Sequence, residues 1–154
     1  MISIIVRKPY IKHVSKQQLI TTAELTLKYL QCKEPVDLAL LICSNEEIAR
    51  INFKYRNINQ ATDVLSFESF EVNPDSGSYH LGDIVISYDF VTDHSQRFSH
   101  DASVELLVLL IHGILHLCGF DHALEIEKLK MWAKQYEIHH QLNISVEHLP
   151  GENE

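Results

Sequence analysis

The sequence predicts a single compact α+β domain, a mixed sheet of about four strands packed with helices around one buried central helix. Three observations carry that reading. The chain has 154 residues and 45% hydrophobic content, enough for one domain with its own core. Its periodic segments follow the order β-α-β-α-β-β-α-α-α, which fits a mixed sheet with helices against it. The run "VELLVLLIHGILHLCG", 104 to 119, is apolar nearly all round a helix and so belongs in the middle of the fold.

"ISIIV" predicts the first strand, broken by Pro9. From Ser15 to Gln31, Leu19, Ala23, Leu27 and Leu30 recur on one helical face. "VDLALLIC" predicts the second strand. It ends at "SNEE", where Ser44 and Glu47 match a capping box that opens a helix through "IARINFKYR". "TDVLSFESF" and "YHLGDIVIS" flank the turn-rich "NPDSGS", so a hairpin is expected. "DFVTDHSQRF" predicts a short helix. Asp101 is placed to cap the helix 102 to 117, and Gly119 to stop it. Leu129, Trp132, Ala133 and Tyr136 mark the face of a last amphipathic helix. Residues 1–149 then form one metal-dependent hydrolase domain, and 150–154, "PGENE", a flexible tail.

The N-terminus lacks the long apolar stretch of a signal peptide, and the central apolar run is too short to span a bilayer. Cys32, Cys43 and Cys118 form an odd set without a C-x-x-C pair, which fits small core residues in a reducing cytoplasm and no membrane association. The net charge of −8 argues against a polyanionic partner, but the charge is unevenly distributed. Residues 1–56 carry +4 and residues 57–154 carry −12. Arg7, Lys8, Lys12 and Lys16 precede the first carboxylate and form a candidate phosphate track.

The chemistry concentrates in "HGILHLCGFDH", residues 112 to 122. Residues four apart on a helix lie one above the other, so His112 and His116 point the same way. Gly119 lets the chain turn back, and His122 supplies a third imidazole from the loop. This H-x-x-x-H-x-x-G-x-x-H spacing is that of zinc-binding metzincin proteases, in which a glutamate follows the first histidine and acts as base. Here that position is Gly113, which turns the reading away from peptide hydrolysis. Three neutral imidazoles suit one zinc ion per chain, with nickel or another divalent metal also accommodated. An open fourth position makes such a metal a Lewis acid that lowers the pKa of its water to about 7. A closed structural site would instead need Asp121, His100 or His80 as the fourth ligand. Asp63 and Asp83 are candidates for supporting a ligand or capping a loop. His13, His94, His100, His139, His140 and His148 show no supporting pattern and are assigned to the surface.

This histidine block resembles the YbeY family of bacterial metal-dependent endoribonucleases. "NFKYRNINQATDVLSF" at 52 to 67 and "LGDIVIS" at 81 to 87 stand upstream in the expected order. The resemblance implies a compact α+β fold with zinc on His112, His116 and His122. It also implies cleavage of single-stranded RNA in ribosomal RNA maturation, including the small-subunit 3' end, and in ribosome quality control. The family's functional arginine falls on Arg56, whose planar fork suits phosphate oxygens. The chain departs from the family pattern at three places: Ala61 and Glu68, where prolines usually flank "TDVLSF", and Phe120, where tyrosine is usual. Two rival readings are a metallopeptidase-like hydrolase using another base and a non-catalytic ribosome-associated factor with a structural zinc.

Overall fold

Alternation at period two in the strands decides how the layers form. The computed structural model describes residues 1–150 except 34, 70 and 147. Its strands are β1 (Ile2–Val6), β2 (Val36–Cys43), β3 (Val64–Glu68) and β4 (Tyr79–Ser87), paired in the order β1-β2-β4-β3. The β1/β2 and β2/β4 pairs are parallel and the β3/β4 hairpin is antiparallel, so the sheet is mixed, as expected. Leu38, Leu40 and Ile42 of β2 and Ile84 and Ile86 of β4 face one core; Cys43 and Val85, with Leu41 packed beside them, face another. Both faces are therefore apolar and both demand a helical cover.

The first core is covered by α1 (Lys16–Tyr29), through Leu19, Ala23 and Leu27, and by α4 (Ala102–Leu117). The second is covered by α2 (Asn45–Arg56), through Ile48 and Ile51. The short helix α3 (Tyr88–Arg97) continues directly from β4, and α5 (Glu125–Gln141) packs on α4. The central helix touches α1, α3, α5, β3 and β4. Every residue from Glu105 to Leu115 is buried, which is why the sequence there is apolar on all sides. Each fully buried Leu or Ile contributes about 1.5–3 kcal/mol, so this helix and the strand face beneath it are the main source of stability. Among the described residues, no single helix is long and apolar enough to cross a membrane.

Several local details differ from expectation. Lys8–His13 forms a 3-10 turn with Pro9 near its start, where a missing N–H costs nothing. Ser44 Oγ accepts from the Glu47 N–H at 3.1 Å, but the Glu47 carboxylate does not reach back to complete the box. It accepts instead from Arg7 Nε at 2.7 Å, which ties the end of β1 to α2. Asp101 stands at the N-cap of α4 without a side-chain capping bond; its carbonyl oxygen takes the N–H groups of Val104 and Glu105. The face expected for α5 is wrong. Leu129 and Tyr136 are exposed, while Met131, Gln135, Ile138 and His139 are buried against α4. The periodicity there was masked because two of the four inward residues are polar. Of the tail, residues 151–154 lie outside the described residues.

Close packing is tightest at Gly82 in β4. A Cβ there would stand 2.3 Å from the Phe67 carbonyl oxygen and 2.7 Å from Leu117 Cδ2 at the end of α4. Gly82→Ala is expected to destabilise the protein by more than about 2 kcal/mol, because backbone cannot yield as a side-chain tip can. Urea unfolding of the two proteins measures this; an unchanged midpoint would show that the strand and helix separate freely.

Candidate metal centre

The helical spacing delivers its expected geometry. His112 and His116 lie one turn apart on α4, with Nε2 atoms 3.2 Å apart. The helix ends at Cys118, and Gly119, at φ +95°, takes the backbone through the turn that returns His122 to the other two. The three rings lie 4.7, 5.7 and 4.9 Å apart between centroids. One ligand nitrogen from each falls within 4.8 Å of the others, the one such cluster among the described residues. His80 and His100 are not part of it: His80 pairs with Asp83 at 3.0 Å and His100 with Glu105 at 2.6 Å. Asp121 is not part of it either; its Oδ1 accepts from the His122 backbone N–H at 2.7 Å.

A buried amide sets the tautomer of His112. Gln135 Nε2 donates to the Val108 carbonyl at 3.0 Å, which fixes the amide orientation, since its oxygen would repel that carbonyl. Gln135 Oε1 then faces His112 Nδ1 at 3.2 Å and accepts a hydrogen bond from its N–H. The second amide hydrogen meets His139 Nε2 at 3.3 Å. With the proton on Nδ1, His112 presents a bare Nε2 lone pair to the cleft. A backbone hydrogen bond with Phe120 also reaches the His116 ring and partly offsets the effect of its burial. The His116 Nε2 stands 3.2 Å from the His112 Nε2, so two ring nitrogens converge on one point of the cleft and the donor set fits a metal ion.

The protonation equilibria agree. Burial, followed by the neighbouring His116, pushes the His112 pKa down from 6.5 to about 3. Burial likewise lowers His139 from 6.5 to about 4. His116 is lowered chiefly by burial, with His122 and Arg56 adding charge repulsion. The His112 and His116 rings are thus held neutral, the form that ligates.

A cleft of about 510 Å3 opens over these histidines, and Arg56 from the end of α2 stands on its wall. Arg56 Nη2 donates to the Ser66 carbonyl at 2.7 Å, and the guanidinium lies 5.2 Å from the Phe67 ring centre. Asn57 closes α2 in the left-handed conformation, and Asn52 Nδ2 holds the following loop through the Gln60 carbonyl at 2.9 Å. Asp63, Glu68, Phe120 and Asp121 line the same cleft, so two of the three departures from the family pattern, Glu68 and Phe120, fall on its wall. Asp83 does not; it is exposed and paired with His80. Arg7, Lys8, Lys12 and Lys16 are also absent from the lining, and Arg7 is held by Glu47.

At Gly113 the absent glutamate has a packing reason. A Cβ at this position would stand 3.0 Å from two carbons of Ile84, so the position faces the sheet and not the cleft. Sequence reasoning missed Gln135 and assigned His139, His94, His100 and His148 to the surface, although His139 is buried and the other three are half-buried. The available signal was a polar pair, Gln135 and His139, recurring in register with Met131 and Ile138.

Fold and site together define a class, α+β domains in which one buried helix and its following loop carry a candidate three-histidine metal centre. Comparison with known proteins narrows the class to one family. Residues 5–143 match the family described as Endoribonuclease YbeY, and the chain belongs to that family. It is 37% identical over 139 residues to the Endoribonuclease YbeY of Lachnoclostridium phytofermentans, covering 79% of this chain and 84% of that one. Against the protein of the same description from Bacillus pumilus, identity is 39% over 137 residues, covering 81% and 86%. Among solved structures, the solution structure of TM1509 from Thermotoga maritima matches with a TM-score of 0.55 and 26% identity over 99% of both chains.

Two outcomes are expected from this geometry. Gln135→Leu should weaken metal affinity about 10- to 100-fold in competition with a chelator; unchanged affinity would remove the amide from the support of His112. In the metal-free protein, the unfolded chain takes up protons on His112 and His139 below about pH 6.5 while the folded one refuses them. Their contribution to stability is therefore complete above about pH 6.5 and is lost as pH falls through about 4 and then about 3. Urea midpoints against pH should fall less steeply for His139→Asn than for wild type; parallel profiles would contradict a neutral buried His139.

Proposed function

We propose that the chain is a single-strand-specific, metal-dependent endoribonuclease acting in ribosomal RNA maturation, at the small-subunit 3' end, and in ribosome quality control. The single observation that carries this is the meeting of His112, His116, His122 and Arg56 in one cleft. The family supports an RNA substrate, since its matched relatives are described as endoribonucleases. The reading includes work in the cytoplasm and contact with the ribosome or its small subunit.

In this reading His112, His116 and His122 hold one zinc ion, with nickel or another divalent metal as the substitute. When bound, the metal supplies Lewis-acid activation of water and of the phosphate. The chain's own residues do the rest. Gln135 keeps the His112 proton on Nδ1, so the Nε2 donor needs no rearrangement before ligation. Arg56 is the catalytic residue. Its fork is already braced by the Ser66 carbonyl and the Phe67 ring, so little side-chain freedom is lost when its remaining N–H groups meet phosphate oxygens. Those donors stabilise the negative charge that grows on the phosphorus oxygens as the bond breaks.

Electrostatics make both cations necessary. Among the described lining residues, Arg56 is the only lysine or arginine, and Asp63, Glu68 and Asp121 bring carboxylates to the same wall. A phosphate chain entering such a cleft needs the metal charge as well as the guanidinium. Recognition then rests on backbone shape and stacking, which suits single strands.

Metal analysis and a cleavage assay on single-stranded RNA test the assignment. His116→Ala is expected to lose both the metal and the activity, and chelation should abolish cleavage by wild type. Arg56→Ala should keep the metal and lower kcat by about 10²- to 10³-fold. Full cleavage by Arg56→Ala would remove its role, and full metal content in His116→Ala would remove the centre.

A further inference from the structure

A second cavity, of about 370 Å3, lies beside the histidine cleft and shares Thr62, Asp63 and Pro150 with it. Its wall is aromatic. Phe90 and Phe98 flank His94, with ring centres 5.2 and 5.7 Å from it, and His148 lies 4.3 Å from Phe98. All four rings are half-buried, each packed against at least one of the others and still partly open to solvent.

The polar groups of this cavity are as ordered as the rings. Glu105 is buried, yet it pairs with His100 Nε2 at 2.6 Å and with His94 Nδ1 at 3.4 Å. That leaves Nε2 of His94 and Nδ1 of His100 as the remaining ring nitrogens of two lining residues. Arg97, 65% exposed at the side chain, stands among the lining residues and is paired only loosely with Asp93, at 3.4 Å. Glu105 sits on α4 two turns before His112, about 10 Å along the helix axis, which is one to two nucleotide steps of an extended strand.

The chemistry selects among occupants. A small anion meets the Glu105 carboxylate, and an aliphatic group leaves the histidine nitrogens without partners. A planar heterocycle satisfies both features, since its faces stack on the rings and its edge carries donors and acceptors. We propose that this cavity receives a nucleobase adjoining the scissile phosphate, stacked on Phe98 with its edge towards His94, His100 and Glu105. The proposal rests on the endoribonuclease reading and adds to it a subsite that sets where the strand is cut.

An abasic scan tests it with the unmodified protein. In a single-stranded RNA with one main cleavage position, each neighbouring nucleotide is replaced in turn by an abasic ribose. One position is expected to raise KM roughly tenfold while kcat changes little, as the loss of one stacked base predicts. Phe98→Leu should raise KM on the intact RNA by a similar factor and add nothing further on that abasic RNA. As a readout independent of turnover, 2-aminopurine at the same position should be quenched on binding the metal-loaded wild type, followed by stopped flow before cleavage, and less so on binding metal-loaded Phe98→Leu. Equal KM for every abasic RNA, with wild-type cleavage intact, overturns the subsite alone. Absence of cleavage of any RNA by the metal-loaded wild type overturns the endoribonuclease reading and the subsite with it.

Discussion

One buried amide holds the arrangement together. The central helix has to be the core of the fold and the carrier of two imidazoles, and these demands conflict, because an unpaired ring nitrogen in an apolar interior is costly. Gln135 resolves the conflict from α5. Its nitrogen donates to the Val108 carbonyl and His139, and its oxygen accepts from the His112 Nδ1–H. Fold stability and ligand orientation therefore depend on the same contact. The docking of α5 is apolar at Met131 and Ile138 and directional at Gln135.

The remaining geometry follows from the layers. Because both sheet faces are covered, α2 and α4 lie on opposite sides, and the hairpin strand β3 at the sheet edge lies between Arg56 and the histidines. Ser66 on that strand accepts from Arg56 on one side, and its hydroxyl lies 3.4 Å from the Gly113 carbonyl on the other. The edge strand is thus the ruler that sets the separation of the guanidinium from the imidazoles. Groups placed on regular elements in this way hold their positions better than groups on loops.

How much of this was legible depended on whether a residue's role was local. His112 and His116 could be placed from helical spacing, the β3/β4 hairpin from its turn residues, and the central position of α4 from its unbroken apolar run. What escaped was tertiary. The Glu47 carboxylate has a partner, Arg7, forty residues away, which no capping pattern reveals. The inward face of α5 contains a glutamine and a histidine, so an apolar periodicity count selects the wrong side. His94 and His100 gain meaning only when Glu105 is brought between them. The step from a metal site to RNA was carried by the family resemblance through "TDVLSF" and "LGDIVIS", not by spacing.

The contact between Gly113 and Ile84 bears on which chemistries this scaffold can acquire. Helix and sheet approach so closely there that a single replacement at position 113 meets Ile84 before it meets any substrate. A peptidase-like helix in this scaffold would need the Ile84 side chain to give by a few tenths of an ångström. The separation of the two layers thus bears on which reaction types the helix can host, even where their ligand spacing is identical.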